Sequence, residues 1–534
     1  MTSGETLAPR PPGDVLLVKH RDEVETFVLF PVPSDDINDP LNWSSWRKAL
    51  NYALVSAQTV AVFTALSIQP IFWQQMSVDL NLSMERLNNA TSANAAGLAV
   101  GCILFIPLTK KFGRRSTYVV STAVMAAVSW WTAYQQTLTE LFLTNLLYGL
   151  AGATNEAIVQ VTVSDMFFIH QRGTMNAVYL TAVMTGSFLT PVAAGVQADR
   201  QGWRASYRAL AISLTIVFVF FLFGYEETKY IPSIRGEARN LPNVSDYISK
   251  DDDDTKANVD ASTLALSTTI SAPGSPLKPH SYRQRLRWLT PSSEPLWKLT
   301  YFPMYVITFP HVLFAAAQYA CGVSCLVVQA TIISMVFSIP PYNLSPAGLG
   351  YMNLGPFVGN LFGSFYTGIL SDLSVKWLAR RNKGYYEPEM RLYLLLPPAL
   401  FMAGGQIMFG VTTDKGMHWI FPSIGGALFG FGLGAIGDAA LTLVIDSYRP
   451  LTAEAFVSIT VIRNAVGIPL PFVIVPWLTN MGLKNMFLIL GFVSLAVSSL
   501  FIPLIIWGKR IRARLAPRYF KLLEKQGGLM ATQN

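Results

Sequence analysis

Apolar stretches about twenty residues long recur along this chain, each bounded by polar or charged residues, and twelve of them predict membrane-spanning helices. They run near 49–73, 88–109, 116–135, 139–162, 175–197 and 207–225, then near 302–333, 346–371, 391–411, 417–443, 454–477 and 484–507. Between the two sets of six lies 231–296, with four consecutive aspartates at 251–254 and the run STLALSTTISAPGSP at 262–276. That segment has too little apolar side chain to offset its ordering entropy, so it is expected to be a mostly disordered linker. The expected fold class is all-α integral membrane, with a segment 1–48, a six-helix bundle 49–230, the linker 231–296, a second bundle 297–507 and a tail 508–534.

Composition agrees. Hydrophobic residues make up 51% of the chain, charged residues only 13%, and mean hydropathy is +0.37, too little charged surface for a soluble globule of this size. No basic stretch followed by a short apolar run and a small-residue cleavage site marks a removable signal peptide, so the first apolar helix is expected to direct insertion. Cys102, Cys321 and Cys325 all fall inside apolar runs, which argues for buried small residues and against a disulfide framework or a zinc site.

Lys and Arg then orient the helices. With the N-terminus inside, the cytoplasmic side receives Lys110, Lys111, Arg114, Arg115, Arg172, Arg283, Arg285, Arg287, Arg449 and the tail's Lys509, Arg510, Arg512 and Arg514. The opposite side receives Arg86, Lys415 and Lys484, with a local exception at Arg200, Arg204 and Arg208. The net charge of +8 is thus an orientation signal, and no nucleic-acid partner is expected. The knot KWLARRNKGYYEPEMR at 376–391 becomes a cytoplasmic loop between the eighth and ninth helices.

An internal repeat appears six helices apart. LFIPLTKKFGRR (104–115) and YTGILSDLSVKWLARR (366–381) each pass from small and apolar residues to a basic pair. NEAIVQVTVSD (155–165) and GDAALTLVIDS (437–447) each place an intramembrane acid before a second acid at the cytoplasmic end. Such halves are expected of a duplicated transporter that binds its cargo between them near the midplane.

These stretches resemble the major facilitator superfamily. GILSD at 368–372 and KKFGRR at 110–115 look like two copies of its loop motif G-x-L-x-D-R-x-G-R-R, and GSFLTPVAAG at 186–195 looks like its helix 5 antiporter motif G-x-x-x-G-P-x-x-G-G. DPLNWSSWRK, DMFFIHQRGT, EETKY and RRNKGYYEPEMRL sharpen the likeness toward the fungal drug:proton antiporter class with twelve helices, in the branch that includes histidinol and polyamine transporters. The resemblance implies two six-helix bundles, alternating access, a small-molecule substrate, protons and membrane lipid as partners, and no cofactor. The loop motif falls on Gly113, Arg114 and Arg115 in the first half, with Ile106 and Lys110 replacing its leading Gly and its Asp, and on Gly368 and Asp372 in the second. In helix 5 Gly186, Pro191 and Gly195 match, while Thr190 and Ala194 replace two glycines. The Arg usual in helix 4 of such antiporters falls at Asn145.

Small residues let helices approach closely and a proline permits bending, so these motifs suit gates. Asp372, Asp165, Arg172, Arg380 and Arg381 are gating candidates, Arg380 and Arg381 as partners of cytoplasmic acids and Glu387 and Glu389 as partners of basic groups; plain positive-inside topology is the bland alternative. Inside the bilayer an ionisable side chain is a site candidate by default. Glu156 and Asp438 hold either a proton or substrate, or a structural pair, and Arg463 is the expected counter-ion of Asp438. His311 is a titrating group or, more commonly for a lone helix histidine, a hydrogen-bonded packing residue. Gln318, Tyr319, Asn353, Asn360 and Gln58 are further polar contacts or helix–helix hydrogen bonds. Trp130, Trp131 and Tyr134 fit an interfacial belt, whereas Phe309, Phe314 and Tyr319 either line an apolar cavity or pack.

No phosphate-binding loop, metal-ligand spacing or nucleophile elbow is present, so catalysis is not expected. The expected activity is secondary transport of a small organic molecule in a fungal plasma membrane by a monomer. Its form is proton-coupled efflux of a drug-like or secondary metabolite, polyamine-type organic cation transport, or nutrient sensing without transport. Asn81 and Asn343, in N-L-S sequons, are the expected outside glycosylation sites.

Overall fold

The computed structural model describes residues 12–13, 15–16, 36–230, 281–291, 296–382 and 385–531. Helices account for nearly all of it. The first half holds α1 (Ser45–Ser67), α2 (Met84–Phe112), α3 (Arg114–Tyr134), α4 (Leu138–Met166), α5 (Ile169–Met184, running through a π turn into Thr190–Gln201) and α6 (Trp203–Gly224). The second half holds α7 (Pro310–Val336), α8 (Leu354–Arg381), α9 (Leu396–Asp414), α10 (Ile420–Ser447), α11 (Thr452–Gly467), α12 (Leu470–Ser498) and α13 (Phe501–Ala531).

Among the described residues eight helical segments are long and apolar enough to cross a membrane by length and composition. Leu470–Glu524 is one of these, yet α12 folds back at Gly482, whose φ of 73° only glycine adopts without strain. The first arm of α12 therefore extends α11, and the second arm, with the start of α13, makes the return crossing. The four helices that miss this criterion are short or polar: α3 opens on Arg114 and Arg115 and is rich in Ser and Thr, α4 carries Glu140, Glu156 and Asp165, α8 ends in Arg380 and Arg381, and α11 has 16 residues. They complete the twelve-crossing arrangement predicted from hydropathy. One expected helix, 302–333, is divided: a short helix Leu296–Val306 stops before Pro310, because a residue preceding proline avoids the helical region.

The duplication is visible in the packing. Gly97 and Gly101 of α2 lie so close to α4 that a Cβ at Gly97 would stand 2.2 Å from the Leu146 carbonyl. Gly359 and Gly363 of α8 do the same against α10, where a Cβ at Gly359 would stand 1.9 Å from the Ala427 carbonyl. Asn81 and Asn343, both exposed and left-handed, precede Ser83 and Ser345, the N-caps of the helices that follow. In all three cases the two positions are 262 residues apart in the sequence.

On the face that carries the termini, called here the inner face, Arg115 is buried at the start of α3. Its guanidinium donates to the carbonyls of Leu222 (2.7 Å), Tyr225 (2.9 Å) and Leu286 (3.0 Å). Glu227 caps the N-terminus of α3 by accepting from the Arg114 and Arg115 amides at 2.9 and 3.3 Å. Gly113 makes room for that carboxylate: its φ is 116°, and a Cβ there would lie 2.2 Å from Glu227 Oε2. Residues 281–291, expected to be part of a disordered linker, are thus docked on the first half, with Thr290 N donating to the Phe112 carbonyl at 2.7 Å. The acidic and serine-rich stretches at 251–254 and 262–276 lie outside the described residues.

Candidate functional site

The two halves meet along α2, α4 and α5 on one side and α7, α8, α11 and α12 on the other, and ionisable side chains of the interior gather there. Glu156 projects from α4 and is buried. Arg463 and Asn464, adjacent on α11, both reach it. The Arg463 guanidinium forms an ion pair with Glu156 Oε1, and Asn464 Nδ2 donates to Glu156 Oε2 at 3.1 Å. Asn464 Oδ1 in turn accepts from Arg463 Nε and Nη2 at 3.1 and 2.9 Å, which closes a ring of three polar side chains. Cys102 of α2 borders it, its Sγ 3.9 Å from Asn464 Nδ2. The expected Arg463–Asp438 pair is therefore not the one formed. The guanidinium points across the interface, where Glu156 and Asn464 together satisfy it, rather than along its own half to Asp438.

Asp438 on α10 stays half-buried in the same neighbourhood. It lies beside the Ser364 hydroxyl of α8, and Tyr319 of α7 stands close to both Asp438 and Arg463. The hydroxyl of Tyr319 comes to 3.5 Å from where a Cβ on Gly437 would be. Tyr179 of α5 faces Glu156 and Arg463 from the other half. Gln58, Asn360 and Gln406 are buried with neither amide atom hydrogen-bonded among the described residues.

Several sequence candidates sit elsewhere. Asn145 is buried and donates to the Leu141 carbonyl of its own helix at 2.8 Å. Gln318 donates to the Val497 carbonyl at 2.7 Å, tying α7 to α12. His311 belongs to the inner face: its ring nitrogens lie 3.2 Å from Glu389 Oε1 and 3.3 Å from the Tyr448 hydroxyl. The same Glu389 receives a bidentate pair from Arg512 of α13, at 2.8 and 2.7 Å.

Gating candidates divide similarly. Lys110, standing where the loop motif has its Asp, meets Glu454 of α11 at 2.8 Å across the interface. Arg114 pairs with Asp165 at 2.9 Å inside the first half. In the 376–391 knot, Glu387 pairs with Lys509 and Arg391 with Asp446. Burial, then Asp446, push the Tyr386 phenol well above the ordinary tyrosine range, so it remains a donor to that carboxylate. Arg380 and Arg381 were expected to be the latch of this loop, but both are exposed and form no ion pair among the described residues; Arg381 lies 3.9 Å over the Trp377 ring. Their length lets them reach water from the end of α8, so they need no acid. Gly368 has open space beside it. The side chains of Arg172 and Asp372 lie outside those described.

The helix 5 motif closes the outer end. Gly186, inside the π turn Thr185–Leu189, packs on α1, and a Cβ at Gly195 would stand 2.4 Å from the Pro346 carbonyl of the second half. Pro191 follows the π turn and offers no amide to it. Asn88 Nδ2 also crosses the outer interface to the Pro471 carbonyl at 2.5 Å. Polar and small-residue contacts thus join the halves at both ends. Asn464 and Glu454 were missed from sequence, although a polar doublet inside an apolar helix and an acid in its first turn are visible signals.

The Major Facilitator Superfamily description matches residues 54–471. An uncharacterized MFS-type transporter of Schizosaccharomyces pombe is 28% identical, covering 97% of this chain and 95% of its own. Protein HOL1 of Saccharomyces cerevisiae is 27% identical over 94% and 93%, and efflux pump radE of Floropilus chiversii is 24% identical over 91% and 84%. Among solved structures, peptide transporter POT in complex with alafosfalin superposes with a TM-score of 0.55 at 15% identity, covering 89% of this chain and 95% of the other.

Proposed function

The chain belongs to the major facilitator superfamily, a transporter family and not an enzyme one, and on that footing we propose that it exports a drug-like or secondary metabolite from a fungal cell in exchange for protons. The observation that carries this reading is the Glu156–Arg463–Asn464 ring. A carboxylate held across the line of separation by a cation of the other half cannot keep that partner in both states of an alternating-access cycle. It must take something else when the halves part, and a proton is the simplest occupant. Relatives that include an efflux pump and the small-residue motif on α5 support the outward direction. The plasma membrane, as an outward barrier, is the membrane this reading requires.

A second reading, transport of an organic cation of the polyamine type, is favoured by Asp438, for which no basic partner is found among the described residues. Full-length protein in proteoliposomes with an imposed pH gradient separates the two, using an amphipathic aromatic dye and spermidine as probes. Gradient-driven accumulation of the dye supports efflux of apolar metabolites, and accumulation of spermidine alone supports the cation reading. Glu156→Gln is expected to abolish gradient-driven accumulation while leaving folding intact. Wild-type accumulation with unchanged pH dependence in that variant would make Glu156 structural.

A further inference from the structure

The segment that leads into α1 docks on the half to which α1 does not belong. Asp36 is tied to the first half, where the Tyr230 hydroxyl beyond α6 donates to its Oδ2 at 3.0 Å. Pro12, Gly13, Val15 and Leu16 lie instead on the inner end of the second half. Val15–Leu16 pairs antiparallel with Tyr385–Tyr386 of the 376–391 loop, Val15 opposite Tyr386 and Leu16 opposite Tyr385. One bend earlier the buried Pro12 offers its carbonyl to the Arg512 guanidinium of α13, which donates to it.

The second half shapes this slot with its own residues. Arg512 is wholly buried and is gripped by both oxygens of Glu389 at 2.8 and 2.7 Å, so its guanidinium is fixed before a carbonyl arrives. Tyr386 is pinned through its phenol, which donates to Asp446 and accepts from Arg391 Nε at 3.0 Å. Tyr385 is held from the end of α8, where the Asn382 carbonyl accepts its amide at 3.0 Å and Asn382 Nδ2 donates to its carbonyl at 3.2 Å. Gly13 turns the corner between the two contacts with φ of 96°, and a Cβ there would stand 3.0 Å from the Asp446 carbonyl oxygen and 3.1 Å from Pro388 and Ser447. A side chain at that position meets both a strained backbone and the closed end of α10.

Nineteen residues, 17–35, separate the docked segment from Asp36, enough to reach about 60 Å when extended. Docking therefore does not lash the halves together. The segment is a ligand on a tether, present at the site at an effective concentration on the order of millimolar. We infer that the inner end of the second half is a peptide-binding site, selective for a Pro-Gly bend followed by an extended apolar pair, and that the chain's own N-terminal segment is its resident, exchangeable ligand. The added strand and the carbonyl held by Arg512 supply the binding, and the tight fit around Gly13 supplies the selectivity. A segment of the same chemistry on a cytoplasmic partner enters only by displacing the resident one, so the 376–391 loop is where such a partner is admitted or refused.

The test measures no transport, so its result stands apart from the export reading. Full-length protein in detergent is titrated into a fluorescein-labelled peptide of residues 7–18, LAPRPPGDVLLV, and fluorescence anisotropy reports binding. The parent, whose site is filled from within, should bind the peptide about tenfold or more weakly than full-length Gly13→Leu, whose own segment cannot dock. A labelled peptide carrying the same Gly13→Leu change should bind neither protein. Deletion of residues 2–16 empties the site by a second route and must produce the same gain. Equal binding of the unaltered peptide by parent and Gly13→Leu protein, no saturable binding by the emptied proteins, or equal binding of the two peptides overturns the site.

Discussion

Lys110 on α2 and Glu454 on α11 face each other 2.8 Å apart across the meeting line of the two halves. The loop motif has an acid at the Lys110 position, so here the polarity of the inner tie is reversed and the acid comes from the other half. Both side chains are largely shielded from water, which makes the pair worth more than an exposed one, on the order of 1 kcal/mol. Glu454→Gln should therefore shift the population toward inner-open forms by roughly fivefold, and the double exchange Lys110→Glu with Glu454→Lys should restore it. Spin-label distances between the inner ends of α2 and α11 check this; an unchanged distribution in Glu454→Gln counts against the tie.

The close approach of α8 to α10 and of α2 to α4 leaves no volume for a side chain. Gly359→Val and Gly97→Val should each destabilise the fold by about 3 kcal/mol or more, since a branched side chain would displace backbone. Gly404→Ala, where nothing lies within 4 Å of the added carbon, should be neutral. Thermal melting in detergent gives the comparison, and equal melting temperatures for Gly359→Val and Gly404→Ala would contradict it.

Burial of the Arg115 guanidinium among three carbonyl acceptors predicts a different kind of loss. Arg115→Met should cost about 3 kcal/mol, because the carbonyls of Leu222, Tyr225 and Leu286 lose a charged donor. It should also release residues 281–291, read as faster proteolysis near Trp288. Protection equal to that of the parent would show that Glu227 alone holds the segment.

Both ends of the central insertion rest on the first half: Glu227 N donates to the Arg285 carbonyl at 3.2 Å. Deletion of residues 245–275 should accordingly leave transport, normalised to surface expression, within about twofold of wild type. Loss of transport at normal expression would give the segment a mechanical role.

Glycan is expected only at Asn81 and Asn343, whose side chains are exposed on the outer face. Asn81→Gln with Asn343→Gln should abolish any mobility shift on deglycosylation. Asn243 also stands in a sequon, N-V-S, within the central segment expected on the cytoplasmic side, and a glycan mapped there would invert the topology.

Much of this architecture was legible because it is written locally. Twenty apolar residues in a row specify a crossing whatever follows, and the basic runs Lys110–Arg115 and Lys509–Arg514 specify an inner end without reference to any partner. Partner choice is not local. Arg463 lies 25 positions from Asp438 and 307 from Glu156, and sequence proximity favoured the former, while the rotation of α11 against α4 decided for the latter. The same holds for His311, which composition places in an apolar helix but whose first-turn position sets it against Glu389 and Arg512. The break before Pro310 and the fold-back at Gly482 were visible as residues, yet hydropathy averages over single positions.

The docking of residues 281–291 beneath α3 has a practical side. A protein tag inserted between residues 231 and 280 would be held at both ends by the first half and would ride with it as a passenger. Placed there, a fluorescent donor whose acceptor is fused to the end of α13 would convert the rocking of one half against the other into a change in energy-transfer efficiency, and the cycle could be watched in living cells without knowing the cargo.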